Sequence, residues 1–278
     1  MTNQSLQRFL DTLPSKFTST IRTLLKPNYP PEAMGNSYKA NEIPSELART
    51  EIGRRFLEHT GYETVKWGQY FEAYERFLAN YRQGVVNPDG SRRQVRFLEI
   101  GVRAGGSLQV FQEYFGVNAK IVGIDIDERC GKLDVAPACI RIGDQSDENF
   151  LRSVVEELGG LDIVIDDGSH LPKDQMSSFR VLWPLLSNNG IYIVEDTHTS
   201  YWRRFGGGYQ KPAGFIEFVK DSIDGMHSWY SRHRMTKRGR FAMTEVLAIT
   251  VFDSLVVYEK TTGKRPVNLR FGQERIFR

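Results

Sequence analysis

Cysteine is scarce in this chain of 278 residues: Cys130 and Cys139 are the only two, and no CxxC spacing occurs. Neither a disulfide framework nor a cysteine-ligated zinc site can be built from them. So few thiols fit a reducing compartment, and the cytoplasm is the expected location. Long hydrophobic runs are missing as well. No stretch approaches the roughly 18 uncharged apolar residues of a spanning helix, and the opening MTNQSLQRFL leads into no apolar segment of the signal-peptide kind. Nor does charge of one sign dominate. The 37 Lys and Arg stand against 34 Asp and Glu, and a net +3 is too small to imply nucleic acid or an anionic membrane. What remains, 40% hydrophobic and 26% charged residues, is the composition of a folded, water-soluble protein with a sizeable core.

Proline is concentrated near the start. Pro14, Pro27, Pro30, Pro31 and Pro44 interrupt the first 45 residues and leave room for a short helix over residues 5–13, so residues 1–60 read as an N-terminal helical arm. Trp67, Tyr70, Phe71, Tyr74, Phe77, Leu78 and Tyr81 then recur at steps of three and four, which predicts an amphipathic helix with an aromatic face. After the NPDGS turn the rhythm becomes strand, turn, helix, repeated. VRFLEIGV, IVGIDI, LDIVIDD and IYIVED are apolar without alternation, and segments of helical pattern separate them. Such strands are covered on both faces, which predicts an α/β, doubly wound, Rossmann-like and mostly parallel sheet over residues 61–260. FAMTEVLAITVFDSLVVYEK predicts an antiparallel strand pair at one sheet edge, and residues 261–278 form a C-terminal tail.

The first strand runs into Glu99-Ile-Gly101-Val-Arg-Ala-Gly105-Gly106-Ser107 and straight on to a helix. Ligands of open parallel sheets bind at the carboxyl ends of strands, where a glycine turn admits them to the backbone. The second strand ends at Asp125, positioned for two ribose hydroxyls, and together these features predict an adenosine-containing ligand. Arg103 stands where the dinucleotide fingerprint needs its second glycine, which counts against NAD or FAD. An acid before the turn, as in ExGxxxG, is the pattern of S-adenosylmethionine sites. Asp144 and Gln145, after a third strand, suit the adenine edge or a helix cap.

The next two strands end in Asp166-Asp167-Gly168-Ser169-His170 and Glu195-Asp196-Thr197-His198. Carboxylates gathered at neighbouring strand tips repel one another unless a cation neutralises them. A hard divalent ion, Mg²⁺ or Mn²⁺, answers the requirement with oxygen ligands. His170, just beyond the strand, carries an imidazole of the kind that serves as a general base near neutrality.

Together EIGVRAGGSL, VGIDID, GDQSD, DIVIDDGSH, GIYIVEDTHTSYW and FDSLVVYEK resemble the class I, metal-dependent sugar O-methyltransferases of macrolide biosynthesis, of the mycinamicin and macrocin type, over roughly residues 60–260. The resemblance implies Asp167, Glu195 and Asp196 as Mg²⁺ ligands and His170 as the catalytic base. It implies Glu99, Gly101, Asp125, Asp144 and Gln145 as contacts of S-adenosyl-L-methionine, with Gly105 and Ser107 in the same turn and Asp166 near the methionine end. It further implies a homo-oligomer. The acceptor would be a small molecule or glycan with a vicinal diol, with Tyr201 and Trp202 stacking on its sugar ring. A catechol acceptor chelates a metal equally well, and a nonenzymatic S-adenosylmethionine-binding accessory protein is the reading from another class. Residues 227–240 carry five Lys and Arg and no acid, suited to an anionic acceptor or to a solvated surface.

Overall fold

The computed structural model describes residues 45–232, 236–263 and 265–272, all within the unit Ala40–Arg278. The expected helix over residues 5–13, the end of the tail and three positions of the basic run lie outside the described residues. Helix α1 (Glu51–Glu58) starts at Thr50, whose hydroxyl accepts the Gly53 amide at 3.0 Å. It lies within the expected arm, yet its wholly buried Ile52 joins the core shared with the following helices. The aromatic spacing becomes α2 (Tyr70–Leu78), continued by a 3₁₀ turn, and NPDGS joins the two short strands β1 (Val85–Val86) and β2 (Arg92–Arg93).

The alternating part follows as β3 (Val95–Ile100), α3 (Gly106–Phe115), β4 (Ala119–Asp125), β5 (Cys139–Ile142), α4 (Glu148–Leu158), β6 (Leu161–Asp166), α5 (Pro172–Leu185) and β7 (Leu186–Val194). After α6 (Phe215–Met226) and the single turn α7 (Ala242–Glu245), β8 (Val246–Phe252) and β9 (Leu255–Lys260) close the chain of elements. The sheet order is β5-β4-β3-β6-β7-β9-β8. Strands β5 through β7 are parallel, whereas β9 pairs antiparallel with β7 and β8 antiparallel with β9. This is the expected architecture, antiparallel edge pair included.

Side chains alternate across a strand, and here the alternation divides the core cleanly. Phe97, Ile163, Ile165, Ile191 and Ile193 pack with Ile52, Tyr70, Tyr74 and Phe111 from α1, α2 and α3. Leu98, Ile100, Val164, Tyr192 and Val194 pack with Leu151, Phe179 and Phe218 from α4, α5 and α6. Truncating a ring such as Phe111, which meets Phe56, Tyr74 and Phe97 at centroid distances of 5.7, 5.7 and 4.9 Å, would cost about 3–5 kcal/mol. The same parity, carried past the strand ends, sorts the acids of the site.

Candidate active site

The carboxyl end of β3 is held close to that of β6 by Gly101. Its φ is +93°, and a Cβ there would lie 2.2 Å from the Asp167 carbonyl oxygen, so the chain can pass only as glycine. Asp125, half-buried at the tip of β4, accepts the amides of Val102 and Arg103 at 2.9 Å on one oxygen and that of Asp127 at 2.9 Å on the other. The acid expected to read a ribose thus also shapes the glycine turn. Gly105, at φ +88°, precedes α3, and the buried Ser107 hydroxyl donates to Glu99 at 2.9 Å.

Glu99, Ile165 and Ile193 share one face of the sheet, and two residues on from the last two stand Asp167 and Glu195. All three acids therefore meet the chain that leads into α2. Lys66 is waiting there with only 3% of its side chain exposed: its Nζ lies 2.6 Å from Asp167, 2.9 Å from Glu195 and 3.6 Å from Glu99. Burial by itself would lower the lysine pKa, but the three carboxylates outweigh it and hold it well above its ordinary value. The Tyr74 hydroxyl also donates to Glu195. Burial raises Glu195, with Asp167 adding to the rise, and burial raises Glu99 to about 7 against the pull of Lys66.

Asp196 is bound differently, by neutral donors: the Tyr70 hydroxyl at 2.7 Å and the Trp67 indole N–H at 3.1 Å. Its amide in turn donates to the Tyr70 oxygen at 3.1 Å. Asp196 and His170 both adopt left-handed backbone, with φ of 52° and 55°. That conformation costs about 1 kcal/mol or more per residue and persists only where surroundings impose it. His170 Nε2 comes to 3.6 Å from Asp196 Oδ2 and 4.0 Å from Asp167 Oδ1. One donor atom each from Asp167, His170 and Asp196 lies within 4.8 Å of the others, and all three residues are partly exposed. Two carboxylates converging at that spacing, with an imidazole beside them, fit a hard divalent ion held through oxygen. Glu195, expected beside them, instead has its carboxylate on Lys66 and Tyr74.

The remaining expected residues fall in several places. Asp166 has even parity, so its carboxylate lies on the opposite face, accepting from Ser178 at 2.6 Å and Gln145 at 3.2 Å, and burial raises it to about 6. Gln145 is buried too, and its amide oxygen accepts the Ser169 amide at 2.7 Å. Its side chain therefore braces the loop that carries Asp167 and His170. Asp144 is exposed and accepts the Ser146 amide at 2.7 Å, while Asp147 is the cap of α4. Tyr201 is 44% exposed. Trp202 stands edge-on to His198 at 4.5 Å and 5.9 Å from Phe205, which lies 6.3 Å from the His170 ring. An aromatic wall thus flanks the acid pair.

Sequence reasoning missed Lys66, Trp67, Tyr70 and Tyr74 as parts of the site. The signal was present: an aromatic helix face made of Tyr and Trp carries hydroxyl and indole groups that need polar partners when buried, and the nearest unsatisfied partners are strand-end acids.

The seven-stranded sheet, glycine turn and acid-bearing carboxyl edge make up the class I, Rossmann-like methyltransferase fold. No protein-family model matches the chain. Its curated relatives are sugar O-methyltransferases, which bears out the resemblance read from the motifs. It is 36% identical over 172 residues to the 8-demethyl-8-alpha-L-rhamnosyl tetracenomycin-C 2'-O-methyltransferase of Streptomyces olivaceus, covering 58% of this chain and 43% of that protein. It is 38% identical over 181 residues to the L-olivosyl-oleandolide 3-O-methyltransferase of Streptomyces antibioticus, covering 60% and 44%. Among solved structures, a mycinamycin-pathway methyltransferase in complex with Mg, S-adenosylhomocysteine and mycinamycin VI superposes with a TM-score of 0.61 at 28% identity, over 78% of this chain and 53% of that one. The chain spans about half the length of the curated relatives it matches.

Proposed function

We propose that the protein transfers the methyl group of S-adenosylmethionine to a hydroxyl of a sugar carried by a small molecule or glycan, with a divalent ion, Mg²⁺ or Mn²⁺, at the strand-end acids. The observation that carries this is the convergence of Asp167, Asp196 and His170 beside the Gly101 turn, in a chain similar to enzymes of that chemistry. Those relatives are named for glycosylated natural products as acceptors, and the mycinamycin-pathway enzyme was solved with Mg and S-adenosylhomocysteine.

Asp167 and Asp196 would hold the ion, with Glu195 the third ligand that the resemblance implies. When bound, the ion would supply a Lewis acid that lowers the pKa of a sugar hydroxyl. His170 would take that proton at Nε2, the nitrogen on the side of the acids. Gln145 holds the His170 loop through the Ser169 amide, and Trp67 and Tyr70 orient Asp196. Asp125 and the turn it shapes would hold the adenosine. The sugar would rest against Tyr201 and Trp202.

Formation of S-adenosylhomocysteine over a panel of glycosides with vicinal diols, set beside catechols, tests the reading. Expected is turnover that requires a divalent ion, is abolished by chelator, and prefers glycosides. His170→Ala is expected to lose about 10²–10⁴ in rate, and Asp167→Asn to lose metal dependence and activity while keeping cofactor binding. Preference for catechols would transfer the reading to that class, and cofactor binding without turnover on any acceptor would refute it.

A further inference from the structure

Lys66 has no part in the chemistry proposed above, yet its ammonium is enclosed almost as fully as Glu99 and Glu195, with 3% of its side chain exposed. Four carboxylates, those of Glu99, Asp167, Glu195 and Asp196, gather at the strand ends, and Lys66 touches the first three. Among the described residues, Asp196 accepts hydrogen bonds from the neutral donors Tyr70 and Trp67, with the His170 imidazole 3.6 Å away. The ammonium therefore sits on the inner side of the cluster, while the partly exposed Asp167, Asp196 and His170 face one another on the outer side. Asp167 is shared: one oxygen, Oδ2, is on Lys66, and the other, Oδ1, is the one nearer His170.

We propose that Lys66 is a positioning residue, an internal counter-ion that makes the acid cluster stable without metal and, by the same contacts, keeps its affinity for a divalent ion low. This rests on the reading of Asp167 and Asp196 as a metal site. Two effects act together. A fixed positive charge bonded to Asp167 repels a second cation brought to that carboxylate's other oxygen, at short range and with little water between them. Lys66 also competes with the ion for the carboxylate of Glu195, the third ligand that the resemblance implies. An ion held loosely can be exchanged, along with a product chelated to it, between turnovers.

A lysine that served only packing and folding would, when replaced, lower stability and leave metal affinity unchanged or weaker. The proposed role moves the two in opposite directions. The test uses Lys66→Met, which keeps the length of the stem, and Lys66→Arg, which keeps the charge. Mn²⁺ binding is followed by electron paramagnetic resonance, and thermal unfolding is measured with and without Mn²⁺. Expected for Lys66→Met is a lower melting temperature in chelator, Mn²⁺ bound at least tenfold more tightly than by the wild type, and a larger gain in melting temperature on adding Mn²⁺. Lys66→Arg should bind Mn²⁺ within about threefold of the wild type. Should Lys66→Met fold only when Mn²⁺ is supplied, the proposal is supported, because the ion then replaces the missing ammonium.

Unchanged or weaker Mn²⁺ binding by a folded Lys66→Met overturns the proposal, as does equal tightening by Lys66→Arg or failure of Lys66→Met to fold under either condition. If the wild type and both variants bind no Mn²⁺, the metal reading itself has failed, and the proposal falls with it. Wild-type binding without tightening in Lys66→Met would instead sink the proposal alone.

Discussion

Asp162→Asn strikes the structure at the end of the sheet away from the chemistry. Asp162, the second residue of β6, has its side chain almost fully enclosed and accepts a forked pair of bonds from Arg93 at 2.6 and 2.8 Å. Arg96 gives it two more from Nε and Nη2, both at 2.9 Å, and its backbone amide a fifth at 3.0 Å. These contacts clamp the entry of β3 to that of β6, and so maintain the register that brings Ile100 opposite Asp166 and the Gly101 turn against Asp167. Breaking a buried ion pair by neutralising one partner costs about 3–5 kcal/mol. Both arginines keep some access to water, 31% and 20% of their side chains, so the lower end, about 3 kcal/mol, is expected. For a chain of this size that corresponds to a fall in melting temperature of about 6–12 °C.

The pH dependence follows from the same contacts. Burial would raise the Asp162 pKa, but the bonds from Arg93 and Arg96 outweigh it and hold the carboxylate well below its usual range in the folded state. Its stabilisation is therefore fully present above the unfolded value, about pH 4, and is lost as the pH falls below that toward the folded value. Urea unfolding of wild type and variant at pH 7 and at pH 3 measures both effects. The gap between them should narrow in acid. A difference under about 1 kcal/mol at neutral pH, or a gap that does not shrink in acid, would refute the reasoning.

Gly101→Ala is expected to cost about 2 kcal/mol or more and to weaken Mn²⁺ binding, because the new Cβ displaces the Asp167 backbone; denaturation and metal titration report the two losses separately. Asp125→Ala should weaken S-adenosylmethionine binding in calorimetry and, having also released the Val102 and Arg103 amides, lower stability by about 1–2 kcal/mol. Gln145→Ala should reduce turnover severalfold while changing cofactor affinity little, since its amide oxygen holds the Ser169 amide of the His170 loop. An equal loss in both would show that Gln145 contacts the cofactor itself.

Much of the site could be read from residue order because it follows from local rules. Apolar runs ending in glycine or acid, spaced by helical segments, admit few arrangements other than a parallel sheet with its ligands at the carboxyl edge, and that is where Glu99, Asp125, Asp167 and Asp196 stand. Strand parity was also available in the sequence and, if followed past the strand ends, separates Asp166 from Asp167 and turns it onto Ser178 and Tyr192.

What could not be read was the identity of the cation among the acids. The repulsion of neighbouring carboxylates is a sound inference from the strand ends, and it predicts a positive charge without saying which one. Lys66 stands 101 residues from Asp167 and 129 from Glu195, and only the packing of α2 against β3, β6 and β7 brings its ammonium to them. Sequence by itself determined the elements, their order and the kind of chemistry at their tips, because periodicity and turn residues act over a few positions. Tertiary structure decided which acids are paired and which remain open to a ligand, because a charge responds to whatever lies within a few ångströms, however distant along the chain.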